Sequence, residues 1–183
     1  MITDEEFRAL SSYIKKECGI DLTRKKSLVV GRLQPWLREK NFSSASAYMR
    51  HVMADLSGEA LSDLLNRLTT HHTYFMREAD HFFYLRKVVL PYLISKEKTG
   101  KDLRFWSAGC STGEEAYTLA MLLLDAFHLL EKGWDTRVLA TDISSQALEK
   151  AKRGIYSNEA VRLLPSTWQK CYFRRIDDQN SQI

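Results

Sequence analysis

The stretch Leu103-Arg-Phe-Trp-Ser-Ala-Gly-Cys-Ser-Thr-Gly-Glu-Glu-Ala-Tyr-Thr-Leu-Ala-Met-Leu-Leu-Leu124 passes from a short apolar segment through a turn of small residues into a helical pattern. Leu103, Phe105 and Trp106 suit a strand. Gly109 and Gly113 permit a tight turn, and Ala116, Leu119, Ala120, Leu123 and Leu124 recur at helical spacing. The order strand, loop, helix sets the loop at a helix N-terminus, where unpaired backbone N–H groups and the helix dipole favour a polar or anionic ligand.

Three ligand classes make different demands on such a loop. A phosphate loop requires G-x-x-x-x-G-K-[ST], whereas Gly113 is followed by Glu114 and Glu115, whose charges repel a phosphate. A dinucleotide site requires G-x-G-x-x-G, and the middle glycine is missing. Residues 109–113 do match G-x-S-x-G, the nucleophile elbow of serine hydrolases, with Ser111 as nucleophile. Its partners should follow as acid and then histidine, yet the last histidine, His128, precedes Asp142. What remains is a nucleoside without phosphates, for which Glu114 and Glu115 are assets because carboxylates accept hydrogen bonds from amines and ribose hydroxyls.

A second strand pattern, Thr136-Arg-Val-Leu-Ala-Thr-Asp142, leads through Ser144 into the helical pattern of Ala147, Leu148 and Ala151. An acid at the carboxyl end of the second strand is where doubly wound folds grip a ribose. Asp142 lies 29 residues after Gly113, more than the roughly 20 of the dinucleotide fingerprint. A longer first helix and a turn over residues 132–135 absorb the difference. The competing role for Asp142 is that of a helix cap.

Elsewhere the chain reads as a helical bundle. Thr3-Asp-Glu-Glu6 is a capping-box pattern ahead of Phe7, Leu10, Ile14 and Cys18, and Gly19 stops that helix. A second helix is expected over residues 24–40, with Leu28, Leu33, Trp36 and Leu37 inward and Pro35 kinking or restarting it. A third carries Tyr48, Val52 and Leu56, and beyond Gly58 a fourth carries Leu61, Leu64, Leu65 and Leu68. A further helix over residues 80–90 leads toward the first strand. After Asp142 come a helix ending at Gly154, a short helix to Leu164, an aromatic and basic stretch over 168–175, and a terminus at 177–183 that reads as frayed. Only two strands are visible, so the second domain reads as incomplete.

The 183 residues allow one domain, or a small domain plus part of another, and carry a net charge of +4. Three cysteines, Cys18, Cys110 and Cys171, show no metal or disulfide spacing and fit a reducing cytoplasm. There is no apolar run of transmembrane length, and the acidic opening is unlike a signal peptide. Between residues 24 and 50, Arg24, Lys25, Lys26, Arg32, Arg38, Lys40 and Arg50 face Glu39 alone, an excess of six positive charges. This is either a solvated helix face or a docking surface for an acidic partner. Nucleic acid is disfavoured, because the patch lacks interleaved aromatic residues for stacking on bases.

Residues 105–117, the later Ala140-Thr-Asp-Ile143 and the earlier Thr69-Thr-His-His-Thr-Tyr-Phe-Met-Arg-Glu78 resemble the CheR-type chemotaxis receptor methyltransferases, in the family's order and over essentially the whole chain. The family's connecting motif reads approximately Thr-x-Asn-x-Thr-x-Phe-Phe-Arg. Thr73, Phe75 and Arg77 match it, while His71 stands for asparagine and Met76 for phenylalanine. The resemblance implies a helical domain over residues 1–78, followed over 79–183 by the first, truncated part of a Rossmann-like class I methyltransferase domain, giving an α+α/β chain. It implies an enzyme that esterifies chemoreceptor glutamates with S-adenosylmethionine, leaving S-adenosylhomocysteine, without a metal. His71, Thr73, Arg77, Ala108, Gly109, Glu114, Glu115, Asp142 and Ile143 would line the cofactor pocket, with Arg77 also orienting the acceptor carboxylate. The basic helical face would meet glutamate-rich receptor helices. A non-catalytic receptor-binding or signalling-protein-binding module is the alternative, and a serine hydrolase using Ser111 a more remote one.

Overall fold

The computed structural model describes residues 2–97, 101–127 and 133–183. The turns expected over 96–101 and 132–135, and His128, fall wholly or partly outside them. The chain divides into two compact units, Met1–Thr70 and His71–Ile183. The division precedes the one expected after Glu78, because Phe75 is buried in the core of the second unit and the Met76 N–H donates to the Thr118 hydroxyl there.

Four helices build the first unit: α1 (Asp4–Cys18), α2 (Lys26–Glu39), α3 (Ala45–Ala54) and α4 (Glu59–Leu68). The capping box forms, with the Thr3 hydroxyl accepting from the Glu6 N–H and the Glu6 carboxylate accepting from the Thr3 N–H. Gly19 closes α1 at φ 72°, a conformation that glycine adopts without a Cβ penalty. Helix α2 runs through Pro35 rather than restarting. Phe7, Leu10, Ile14, Leu33, Trp36 and Leu64 fill the core, and the buried Tyr48 donates its hydroxyl to the Ala60 carbonyl (3.1 Å). Val29, rather than Leu28, is fully buried, and Leu56 is exposed because α3 ends before it.

Two residues of the basic stretch are engaged within this unit. Arg32 donates to the carbonyls of Leu68 (2.9 Å) and Thr69 (2.7 Å) and to the Thr70 hydroxyl (2.8 Å), which satisfies acceptors left open at the end of α4. Lys26 pairs with Asp4.

In the second unit, α5 (Ala79–Tyr84), a π-helical turn (Leu85–Val89) and α6 (Leu90–Lys96) follow one another without a break. The Leu90 N–H reaches back five residues to the Leu85 carbonyl, a widening that lets Pro91 enter where a proline could not donate to the preceding turn. Strands β1 (Phe105–Ala108) and β2 (Val138–Thr141) pair in parallel, with Trp106 opposite Leu139 and Ala108 opposite Thr141. Helices α7 (Glu114–Phe127) and α8 (Ser145–Arg153) follow the two strands.

The terminus over 177–183 is ordered, contrary to expectation. Strand β3 (Ile155–Ser157) precedes α9 (Asn158–Arg162) and α10 (Ser166–Tyr172), and β5 (Asn180–Gln182) lies antiparallel between β3 and β4 (Arg174–Arg175). The Asp177 carboxylate sets the hairpin by accepting from the N–H groups of Gln179 (2.7 Å) and Asn180 (2.6 Å). Asp125 on α7 accepts from the Trp168 indole (2.6 Å) and the Tyr172 hydroxyl (2.8 Å), fastening α10, and burial together with this carboxylate pushes the Tyr172 phenol up to about 12.

Arg32→Ala should destabilise the helical unit by about 1–3 kcal/mol, since it strips charged donors from carbonyls at a helix end. Urea unfolding followed by circular dichroism is the measurement, and an unchanged midpoint would mean that the contact contributes nothing.

Candidate functional site

The carboxyl ends of β1 and β2 carry the candidate site, as expected of an open parallel sheet. Gly109, Ser111 and Gly113 all take positive φ (78°, 51° and 100°), so the loop winds through alternate left-handed residues. For Ser111 that conformation is strained and must be held from outside. The Thr141 carbonyl accepts both the Gly109 N–H (2.8 Å) and the Cys110 N–H (2.9 Å), and the Gly113 N–H closes the turn on the Cys110 carbonyl (2.9 Å).

Asp142 is the latch. Its carboxylate accepts the Ser111 N–H (2.7 Å) through one oxygen and the Ser144 N–H (2.8 Å) through the other, and the buried Ser144 caps α8 through the Ala147 N–H. The helix-start role weighed against ribose binding is therefore present. Each carboxylate oxygen can accept a further bond, so the two roles are compatible.

The Ser111 hydroxyl donates to the His71 carbonyl (3.1 Å), which brings the segment over 71–78 to the loop. Farther along, Phe75 is buried, the Met76 N–H donates to the Thr118 hydroxyl (3.3 Å), and Arg77 Nη1 donates to the His72 carbonyl (2.9 Å). Met76 and Glu78 have φ near 59° and 57°, so backbone strain brackets Arg77. Arg77 is exposed and Thr73 half-buried.

The tandem acids face different surroundings. Glu114 is buried and accepts from the Thr112 hydroxyl (2.6 Å), whereas Glu115 is exposed and accepts from the hydroxyl of buried Ser107 on β1 (2.6 Å). Ala108, Gly109 and Ile143 are also exposed, and a Cβ placed on Gly109 would meet nothing within 4 Å. The cradle is thus open beside the carboxylates of Glu115 and Asp142, a donor-accepting set that fits a nucleoside rather than a phosphate. Among the described residues the Ser111 hydroxyl donates to a carbonyl and not to an imidazole, so they do not form the hydrolase arrangement. Burial, reinforced by Asp142, raises the Cys110 thiol above its ordinary pKa, which disfavours a thiolate role.

Hydrogen bonds therefore link the segments of His71, Ser111 and Asp142, and Glu115 to β1. Thr118, which accepts from the Met76 N–H, and Tyr156, which donates to the Thr112 carbonyl, touch these segments and were not singled out in the sequence. Thr118 occupies an ordinary helical position, and Tyr156 follows the Gly154 helix stop with no motif to mark it. An open groove of about 720 Å³ lies at the opposite, amino ends of the strands, lined by residues such as Asp102, Arg104, Asp135 and Arg137. Arg104 pairs with Asp102 and Arg137 with Asp135, so these four charges are matched to one another.

Asp142→Ala should destabilise the second unit by about 1–3 kcal/mol even without ligand, because two backbone donors lose a charged acceptor. Thermal unfolding of the free protein reports this. An unaltered transition would show that the latch does not contribute to the fold.

Residues 71–183 match the family model described as CheR methyltransferase, SAM binding domain, and residues 5–69 match CheR methyltransferase, all-alpha domain. The chain is 34% identical over 185 residues to the chemotaxis protein methyltransferase of Borreliella burgdorferi, covering 100% of this chain and 65% of that protein. It is 32% identical over 184 residues to chemotaxis protein methyltransferase 2 of Vibrio cholerae, covering 100% of this chain and 63% of that protein. With the Escherichia coli chemotaxis protein methyltransferase it shares 34% identity over 175 residues, covering 95% of this chain and 58% of that protein. The chain thus spans less than two thirds of these relatives' length. Both matched segments, together with the latched loop at the ends of β1 and β2, identify the chain as a member of the CheR methyltransferase family.

Proposed function

We propose that this chain binds S-adenosylmethionine at the carboxyl ends of β1 and β2 and serves the methylation of chemoreceptor glutamates. One observation carries the reading. The Ser111 N–H on Asp142 and the Ser111 hydroxyl on the His71 carbonyl draw three distant segments of the resembling motifs into one crevice. S-adenosylmethionine, when bound, supplies an electrophilic methyl group on a sulfonium.

The chain's own residues would divide the work. Asp142 and Glu115 accept hydrogen bonds from ribose hydroxyls. Gly109, with no side chain, lets the ligand approach the backbone beside Ala108 and Ile143. His71 and Thr73 hold the amino-acid end. Arg77 orients the acceptor carboxylate, for which a planar donor fork is better suited than an ammonium. A carboxylate is already a competent nucleophile at neutral pH, so alignment rather than general-base catalysis is what the site must provide. Glu114, held by Thr112 in a buried position, is better assigned to tightening the start of α7 than to ligand contact.

For the receptor, the exposed Arg24, Lys25, Arg38, Lys40 and Arg50 remain the docking face, with acidic receptor helices as the partner. Arg32 is left out because its guanidinium caps α4, and Lys26 because it pairs with Asp4. A cytoplasmic setting accords with free Cys18, Cys110 and Cys171, and no described helix is long and apolar enough to cross a membrane.

The test is calorimetric titration with S-adenosylmethionine and S-adenosylhomocysteine, run beside methyl transfer to a glutamate-rich receptor fragment in a chain of the relatives' length. Saturable binding is expected, weakened about 10-fold in Glu115→Ala, which loses a charge-assisted hydrogen bond. Arg77→Lys should keep cofactor affinity while methyl transfer falls by about 100-fold, the scale of a misaligned reacting centre. Absence of binding would sink the reading. Binding without transfer, at the relatives' length, would favour the non-catalytic receptor module.

A further inference from the structure

Tyr156 stands on β3, outside every segment of the site described above, yet its side chain reaches two of them. Its hydroxyl donates to the Thr112 carbonyl (2.7 Å), inside the loop over 109–113. Its ring meets Phe75 edge-on, with centroids 4.8 Å apart, and Phe75 lies two residues before Arg77. Tyr117 on α7 packs against the same ring at 6.0 Å and donates its own hydroxyl to the Ala151 carbonyl of α8 (2.9 Å).

The fit around the hydroxyl is close. A Cβ added to Gly113 would lie 2.8 Å from the Tyr156 oxygen and 2.9 Å from the Ala151 Cβ, so the glycine, the phenol and α8 occupy one tight contact. Burial, with the Glu114 carboxylate nearby, holds the phenol far above its ordinary pKa, and it therefore stays a proton donor throughout the working pH range. The phenol donates to a loop carbonyl immediately before Gly113, in the loop where Ser111 is strained.

We infer that Tyr156 is a positioning residue for the nucleoside site: its hydroxyl fixes the Thr112 carbonyl, its ring seats Phe75, and together they pre-order the glycine loop and the segment leading to Arg77. The inference rests on the proposed reading of this crevice as the S-adenosylmethionine site. Pre-ordering acts through population. If removing the hydroxyl lets the loop leave its binding-competent form, apparent affinity falls by the fraction of molecules lost from that form.

Tyr156→Phe tests it, because the ring contacts stay and only the donor is removed. Hydrogen exchange of the Gly113 and Tyr117 amides in the ligand-free chain should speed up about 2- to 10-fold, the effect of one net hydrogen bond. The Gln169 amide, which donates to the Pro165 carbonyl in α10, should be unchanged. Affinity for S-adenosylhomocysteine should drop by a similar factor, and Tyr156→Leu, which also loses the edge contact with Phe75, should bind more weakly still. Uniform acceleration at Gly113, Tyr117 and Gln169 would mark a merely structural role and overturn the inference, as would unchanged exchange at Gly113. Equal affinity of Tyr156→Phe and the unmutated chain would overturn it too. Failure of the unmutated chain to bind S-adenosylhomocysteine would instead overturn the proposed ligand, while the exchange measurements still decide whether Tyr156 orders the loop.

Discussion

The bond from the Ser111 N–H to the Asp142 carboxylate governs the geometry of the second unit's site. Ser111 has a side chain and sits at φ 51°, a conformation that costs on the order of 1–3 kcal/mol and persists only where the surroundings over-determine it. Here they do. The N–H meets a carboxylate, the hydroxyl meets the His71 carbonyl, and the neighbouring N–H groups of Gly109 and Cys110 converge on the Thr141 carbonyl. Because Asp142 and Thr141 both close β2, the end of one strand fixes the loop that leaves the other. The parallel pairing of Ala108 with Thr141 is therefore a requirement of the site as well as of the sheet.

Two parallel strands bury little, and Trp106 and Leu139 share a face that is exposed. The unit's cohesion lies elsewhere, in the core of α7, α9, α10 and β3 where Met121, Leu123, Phe127, Tyr156 and Trp168 are buried. Phe75 joins that core with its ring edge-on to both Tyr156 and Phe173. Packing of this kind fixes the segment over 71–78 to the second unit regardless of the sheet's size. The same packing explains why the chain divides at Thr70 and not after Glu78: a motif whose aromatic residue is buried in one core folds with that core.

What could be read from the sequence followed the range of the interaction. Thr3, Glu6 and Gly19 signal α1 through contacts within one helical turn, and the strand-loop-helix order around Gly109 is equally local. Asp142 was legible as an acid at a strand end, but its latch to Ser111 joins residues 31 apart and leaves no periodic trace. Strands β3 to β5 are two or three residues long, too short for alternation to register, and their pairing depends on the Asp177 turn. Arg32 shows the converse error. In a run of like charges it looks like part of a surface, although its partners at residues 68–70 are carbonyls and a hydroxyl, which no charge pattern reveals.

The adjacent acids Glu114 and Glu115 illustrate how one sequence feature divides into two physical roles. Neighbouring residues on a helix point about 100° apart, since each turn takes 3.6 residues, so the two acids meet different surroundings. Glu114 turns inward, where the Thr112 hydroxyl and the unpaired N–H groups of the first turn offset the cost of burying a carboxylate. Glu115 turns outward beside Ser107, and that serine, itself buried, anchors the carboxylate to β1. One carboxylate thus tightens the start of α7 while its neighbour stays accessible at the end of β1.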